Sequence, residues 1–442
     1  MNILDIGALA QSEALANGSL TARALMEATL ERIDAVNGAV NAIVALRPRA
    51  ELLAEADRAD ATPRVGWLHG IPIAIKDLSD AKGLPTAKGS PLFAGTIAQK
   101  DSVFVARIRA AGAIIIGKTN PPEFGGAAVA LATGMLSIAD GSDMMGSLRN
   151  PAGWNNVYGM RPSWGTVPPE PEGDMFLHQL SMAGPMARCP RDLAALLDTM
   201  TGEDPKQPLG LSPGPSLPQM DTPSPTRRIG WLGDWGGAFA YEDGIEDVSK
   251  AALDQLVALG HRVTHVPAPF DADAMWDSWT TLRSFAVAAG LGTLYRDPET
   301  RDKLKPAAQW EIERGLGFTG QEVQQASLTR SDWYRRVTAL FDEVDVLVLP
   351  SAQLWPFDVD QVHPTQIAGR DMDTYHRWMQ VVVPAGLVGL PVVNIPAGFG
   401  AEGLPAGLQM IGPRGSDTAL LQLAQQWHAA TQWPQMRPPP LA

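Results

Sequence analysis

Apolar and polar positions change their rhythm along the chain. Near the N-terminus Leu25, Ala28, Leu30 and Ile33 recur at helical spacing. Ser19 or Thr21 just ahead of them carries the hydroxyl that caps a helix. Arg49 to Ala59 predicts a second, mostly polar helix. Ile71-Pro72-Ile73-Ala74-Ile75 is then an unbroken apolar run with the length and β-branched content of a buried strand. An amphipathic helix over Ser102 to Ala111, a strand over Ala113 to Ile116, an alanine-rich helix over Gly125 to Thr133 and a short strand over Met135 to Ala139 follow. Residues 205–226 are rich in proline and serine and read as a linker. Beyond it the alternation resumes: strand Ile229 to Leu232, helix Val248 to Leu259, strand Arg262 to Val266, a mostly helical stretch over 270–340, strands Val344 to Leu349 and Val392 to Ile395, and a helix over Ala419 to Ala429. Strands alternating with helices predict an α/β protein whose parallel or mixed sheet has helices on both faces.

Composition narrows the classes. The 442 residues are 45% hydrophobic and 19% charged, the profile of a soluble globular protein with a sizeable core. A net charge of −13 argues against nucleic acid or an anionic membrane as partner, since both need a basic patch. The single cysteine, Cys189, allows no intrachain disulfide and suits a reducing compartment. No N-terminal signal pattern and no apolar run of membrane-spanning length occurs, so a cytoplasmic location is expected. Among the seven histidines, His261 and His265 are four apart but flank a strand, and no metal site or cofactor is expected.

Lys76 closes the first apolar run and is followed by Asp77. A lysine delivered by a buried strand loses water around its ammonium, which lowers its pKa and frees an amine to act as general base. Most strand-end lysines instead snorkel to solvent or pair with an acid. Downstream, Gly141-Ser142-Asp143-Met144-Met145-Gly146-Ser147-Leu148-Arg149-Asn150-Pro151 places a glycine directly before a serine. Glycine permits a tight turn whose successive N–H groups point at one spot, the geometry of an oxyanion hole. Alone, such a dipeptide is an ordinary turn.

The combination resembles the amidase signature hydrolases, which use lysine rather than histidine to activate serine. The resemblance runs nearly end to end. Gly66 to Asp77 is similar to the family's lysine strand, and Gly117-Lys118-Thr119-Asn120-Pro121-Pro122-Glu123-Phe124 to its next block. Gly141 to Pro151 is similar to the nucleophile block, followed by Gly159-Met160-Arg161-Pro162-Ser163 and Gly184-Pro185-Met186-Ala187-Arg188. Gly389-Leu390-Pro391, Ile395-Pro396-Ala397-Gly398 and Gly403 to Gly412 resemble the closing blocks.

The resemblance implies an α/β/α fold, one domain over residues 1–442, with N-terminal helices over 1–65, catalytic blocks over 66–204, the linker, and the remaining sheet and helical cover over 227–442. It implies Ser147 as nucleophile, Lys76 as ultimate base, the N–H groups of Met144, Met145, Gly146 and Ser147 as oxyanion hole, and Asp143 and Arg149 as a bracing ion pair. Two features depart from it. The family has two glycines before the nucleophile, where this chain has Met145-Gly146. The family's Gly-Gly-Ser-Ser-Gly-Gly stretch, whose cis-bonded serine relays the proton, is also missing: Phe124 runs directly into Gly125-Gly126-Ala127-Ala128. Either the numbering passes over a mobile loop, or the loop is absent. The expected activity is hydrolysis of amide-type C–N bonds in small hydrophobic or aryl amides and carbamates (urethanes); Met144 and Met145 favour an apolar substrate, and the tryptophans concentrated beyond residue 230 read either as plain core or as a slight preference for such a substrate. The alternatives are a catalytically silent ligand-binding member, favoured by a true loop deletion, and the amidase subunit of a glutamine amidotransferase.

Overall fold

The computed structural model of the protein describes residues 2–121 and 125–440. Helices α1 (Ala8–Ala16), α2 (Ala22–Val40) and α3 (Arg49–Ala61) lead the chain. Thr21 caps α2 by accepting the Ala24 N–H at 3.0 Å, and the stripe Leu25, Met26, Leu30 and Ile33 is buried. The helix continues well past Ile33, because Asn41, at φ 47°, is the first residue to turn left-handed.

Strand β1 (Ile43–Val44) pairs antiparallel with β3 (Ile114–Thr119), and β2 (Pro72–Lys76) pairs parallel with the other side of β3. Register sets Lys76 opposite Thr119 and Ile75 opposite Lys118. Between β2 and β3 lies α4 (Val103–Ala110). After α5 (Gly126–Ala132) come β4 (Ile138–Asp143), α6 (Asn150–Trp154), β5 (Tyr158–Arg161), β6 (Met182–Ala187) and α7 (Pro190–Met200). The linker holds only a short 3-10 turn, and the Asp198 carboxylate pins it by accepting the N–H groups of Ser216 and Leu217 at 2.7 and 2.8 Å. Then follow β7 (Arg228–Trp231), α8 (Ile245–Ala258), β8 (Arg262–His265), α9 (Ala272–Arg296), helices Pro306–Gly317 and Gly320–Leu340, and β9 (Val346–Pro350). A two-stranded ribbon of β10 (Gln366–Ile367) and β11 (Arg370–Asp371) precedes β12 (Val392–Phe399), β13 (Pro405–Ile411) and the helix Asp417–Thr431.

Eight strands form one mixed sheet in the order β4-β6-β5-β12-β13-β9-β7-β8. Pairing is antiparallel from β4 to β9 and parallel from β9 to β8. Alternation along the strands splits the core. Ile73, Ile75, Ile115 and Ile138 pack with α4, α7, α8 and the last long helix, while Ala74, Ile114, Ile116 and Ala139 pack with α2, α3 and α5. The expected α/β arrangement with helices on both faces is therefore present. A further core joins Met145, Trp235, Trp279, Trp333, Trp378 and their neighbours. It holds Trp235, Trp276, Trp279, Trp333 and Trp378 as packing residues, while Trp231 and Trp427 pack in the first core; Trp310, at 39% exposed, is an exception.

Strands β5, β6 and β13 and helices α1 and α7 are absent from the sequence-based expectation. Glycine and proline interrupt the apolar pattern of these strands, and here the glycines mark close backbone approach. A side chain at Gly159 would strike the Leu148 carbonyl, and one at Gly184 the Met160 carbonyl.

Candidate active site

Lys76 sits at the C-terminal end of β2 and is only 4% exposed. Its Nζ donates to the Ser142 carbonyl oxygen at 2.9 Å and lies 3.1 Å from the Ser142 hydroxyl. Burial lowers its pKa from 10.5 to about 8, against the opposing charges of Asp140 and Asp143. The lysine is thus held at the edge of neutrality beside the glycine-serine segment.

That segment is a turn built around one carboxylate. Asp143, wholly buried, accepts the Gly146 N–H at 2.8 Å through Oδ1 and the Leu148 N–H at 3.3 Å through Oδ2. Arg149 meets the same carboxylate in a fork, Nε to Oδ2 at 2.8 Å and Nη2 to Oδ1 at 2.9 Å. Burial alone would raise the Asp143 pKa, but the charge and hydrogen bonds of Arg149, the charge of Arg161 and the Gly146 N–H together hold it far below the usual carboxylate range. The predicted Asp143–Arg149 pair is present, with both side chains out of solvent. Arg149 also donates from Nη1 to the Val382 carbonyl and to Gln409 Oε1, each at 2.7 Å. Those two partners lie far along the chain and carry no local sequence signal. Arg161, in a block singled out by resemblance but given no role, lies 3.5 Å from Asp143 Oδ1 and donates to its carbonyl oxygen.

Gly146 adopts φ 84°, the left-handed conformation the turn requires. Ser147 follows it, half-buried, at the start of the turn into α6. Among the described residues its hydroxyl makes no hydrogen bond, and neither do the N–H groups of Met144, Met145 and Ser147. The oxyanion set needs one correction: the Gly146 N–H is already committed to Asp143, because that bond closes the turn. Met145 points into the tryptophan-rich core at 5% exposure, with the half-buried Met144 packed against it. Its side chain therefore supports the turn from inside, whereas the sequence suggested an apolar wall for substrate.

Ser147 and Lys76 are not hydrogen-bonded to each other. The hydroxyl beside the lysine belongs to Ser142, in β4. Ser142 faces a cavity of about 270 Å³ shared with Leu78, Ser79, Phe104, Val167 and Ser181.

The junction at Phe124 lies outside the described residues. On its far side Gly125 is left-handed at φ 67°, and a side chain there would strike Pro151 of the glycine-serine segment. The Gly126 N–H donates to the Asn120 carbonyl at 3.2 Å, so the chain on the two sides of the junction is hydrogen-bonded together. No serine occurs between Ser102 and Ser137, and no cis peptide bond occurs among the described residues.

Sequence reasoning also passed over Asp140. It is completely buried, and Oδ1 accepts the Lys76 backbone N–H at 3.0 Å, joining β2 to β4 where the two sheets meet. Its Oδ2 has no hydrogen-bond partner among the described residues. Burial raises its pKa from 3.8 to about 6, opposed by the Lys76 N–H and the charges of Lys118 and Lys76. The available signal was an acid placed directly after the apolar strand run Met135 to Ala139 and ahead of the glycine-serine segment. Lys118 is buried nearby, with Nζ donating to the Ser79 carbonyl at 2.5 Å and 3.8 Å from Asp77.

Solved structures share this architecture along the chain. A bacterial aryl acylamidase of the amidase signature family superposes with a TM-score of 0.89 at 24% identity, covering 98% of this chain and 99% of the other. A 6-aminohexanoate cyclic dimer hydrolase gives 0.86 at 25% identity, covering 98% and 99%. In sequence, an acylamidase of Rhodococcus erythropolis is 29% identical over 479 aligned residues, 99% of this chain and 98% of its own. A glutamyl-tRNA(Gln) amidotransferase subunit of Chloroflexus aurantiacus is 30% identical over 496, 97% of each. The protein is of the amidase class, hydrolases acting on carbon–nitrogen bonds. It belongs to the amidase signature family, matching the family described as Amidase over residues 24–125 and 125–421, two stretches that meet at Gly125.

Proposed function

We propose that the protein hydrolyses small acyl amides, aryl amides and carbamates through an acyl-enzyme on Ser147, with Lys76 as the base. The observation that carries this reading is Lys76 itself: a desolvated amine fixed against the turn that bears the serine. Neutral Lys76 accepts the proton that leaves the Ser147 hydroxyl as its oxygen bonds to the substrate carbonyl carbon. The unpartnered N–H groups of Met144, Met145 and Ser147 are the candidates to receive the oxyanion. The proton returns to the leaving nitrogen as the C–N bond breaks, and water then cleaves the acyl-enzyme. A similar acylamidase supports an acyl amide as substrate. The partner is then a small molecule, and the charge of −13 argues against nucleic acid. Among the described residues no helix is long and apolar enough to cross a membrane. The single cysteine suits a reducing cellular interior.

The test is release of aromatic amine from a panel of acyl anilides and aryl carbamates, with a fluorophosphonate mapped by mass spectrometry. Turnover together with a label on Ser147 is expected. An enzyme inert to every anilide, ester and carbamate and to the phosphonate would defeat the reading. Two observations keep other readings in play. The absence of any serine between Ser102 and Ser137 favours a silent binder, which ligand would stabilise without turnover. The likeness to amidotransferase subunits favours glutamine as substrate and a stable protein partner, which glutaminase assay and co-purification would reveal.

A further inference from the structure

We infer that Ser142 is a catalytic residue whose hydroxyl passes the proton between Ser147 and Lys76, in place of a serine that residues 120–126 do not contain. The inference rests on the hydrolase reading above. Three observations carry it. First, among the described residues the Ser142 hydroxyl is the only one in hydrogen-bond contact with Lys76 Nζ, at 3.1 Å. Second, the Ser142 carbonyl accepts from the same Nζ at 2.9 Å. A neutral amine has two N–H donors and one lone pair; with one N–H held by the carbonyl, the lone pair can face the Ser142 O–H. Third, Ser142 is neither sealed in the core nor free to move. It is half-buried at a cavity wall, while its backbone pairs with Ala183 of β6.

Ser142 and Ser147 bracket the Asp143 turn, whose far side is folded back onto the Asp143 carboxylate by the N–H groups of Gly146 and Leu148. The step balances. As Ser147 Oγ bonds to the carbonyl carbon, its proton moves to Ser142 Oγ through one bridging water, because the two hydroxyls are not hydrogen-bonded to each other in the resting structure, and the Ser142 proton moves to Lys76 Nζ. The reverse transfer delivers a proton to the departing nitrogen. No outside acid, base or metal is consumed.

The closing experiment compares Ser142→Thr with Ser142→Val, two side chains of one shape that differ by a hydroxyl against a methyl and both suit a strand. Both should unfold at the wild-type temperature. Ser142→Val should lower kcat by about 100-fold or more, the scale of a lost acid–base group, with KM little changed. It should slow phosphonate labelling of Ser147 to the same extent, and Ser142→Thr should restore both to within about tenfold of wild type, the residue a relay needs being the hydroxyl alone. If Ser142→Val does not fold, Ser142→Ala against Ser142→Thr makes the same comparison. An active wild type with an equally active Ser142→Val overturns this inference and leaves the hydrolase reading intact. A phosphonate found on Ser142 overturns it too, by making Ser142 the nucleophile. A wild type that neither turns over substrate nor takes the label overturns the hydrolase reading and this inference with it.

Discussion

Asp140 is the residue that most alters the chemistry of Lys76. It adds a carboxyl to a buried group that already holds Lys76, Lys118, Asp77 and Asp143. Once ionised, above about pH 6, it favours the protonated lysine and so opposes the burial that frees the amine. The acid limb of kcat/KM should lie near pH 8, where Lys76 loses its proton. In Asp140→Asn the amide oxygen can still accept the Lys76 N–H but the charge is gone. The limb should move to lower pH, and a profile superimposable on wild type would show that the two groups are uncoupled. Asp140 was legible only as an acid directly following a short apolar run. That it lies under Lys76 follows from the approach of β2 to β4, elements separated by more than sixty residues.

At the scale of elements, the turn that carries Ser147 depends on the fork between Arg149 and Asp143. Removing one member of a buried, hydrogen-bonded pair leaves the other uncompensated. Arg149→Ala should therefore lower unfolding free energy by about 3–5 kcal/mol, measured by urea denaturation at unchanged m. Gly146→Ala fails for a different reason. Its φ of 84° disfavours a side chain, and the new Cβ would fall on Asn150 Oδ1. It should cost about 1–3 kcal/mol and abolish labelling of Ser147; a stable, fully labelled variant would contradict the geometry described. The ion pair and the glycine turn were readable locally, because one short run of chain sets both. Arg161 and Gln409 were not, since they reach the same charge cluster from β5 and β13. The helical region after residue 270 was readable as helix, and its tryptophans as either core or substrate lining. Trp333 is buried and donates from Nε1 to the Pro384 carbonyl at 2.8 Å, so Trp333→Ala should cost about 3–5 kcal/mol as a cavity mutation.

Across the whole molecule, the shifted groups tie stability to pH with opposite signs. The folded-state pKa of Asp140 is raised, so between 3.8 and about 6 the folded protein binds more protons than the unfolded chain. Its contribution is present below that window and declines as pH rises through it. The folded-state pKa of Lys76 is lowered, so between about 8 and 10.5 the unfolded chain binds more protons, and its contribution improves as pH rises. Subtracting the pH–stability curve of Asp140→Asn from that of wild type should isolate the first trend, and that of Lys76→Met the second. A flat difference curve in either window would place that group's pKa at its ordinary value.

The sequence by itself determined the fold class and the family. Apolar runs with the period of strands and helices, and ordered motif blocks from Gly66 to Gly412, are properties of neighbouring residues and survive without coordinates. It also determined that Lys76 ends a buried strand, and that Asp143 and Arg149 share a turn. Tertiary structure alone decided which hydroxyl meets the lysine and that Met145 faces the core. It decided too that Gly146 has no free N–H and that β5, β6 and β13 are strands despite their glycines and prolines. Each of these depends on what packs against a residue from a distant part of the chain, and a buried polar group takes whichever partner that packing supplies.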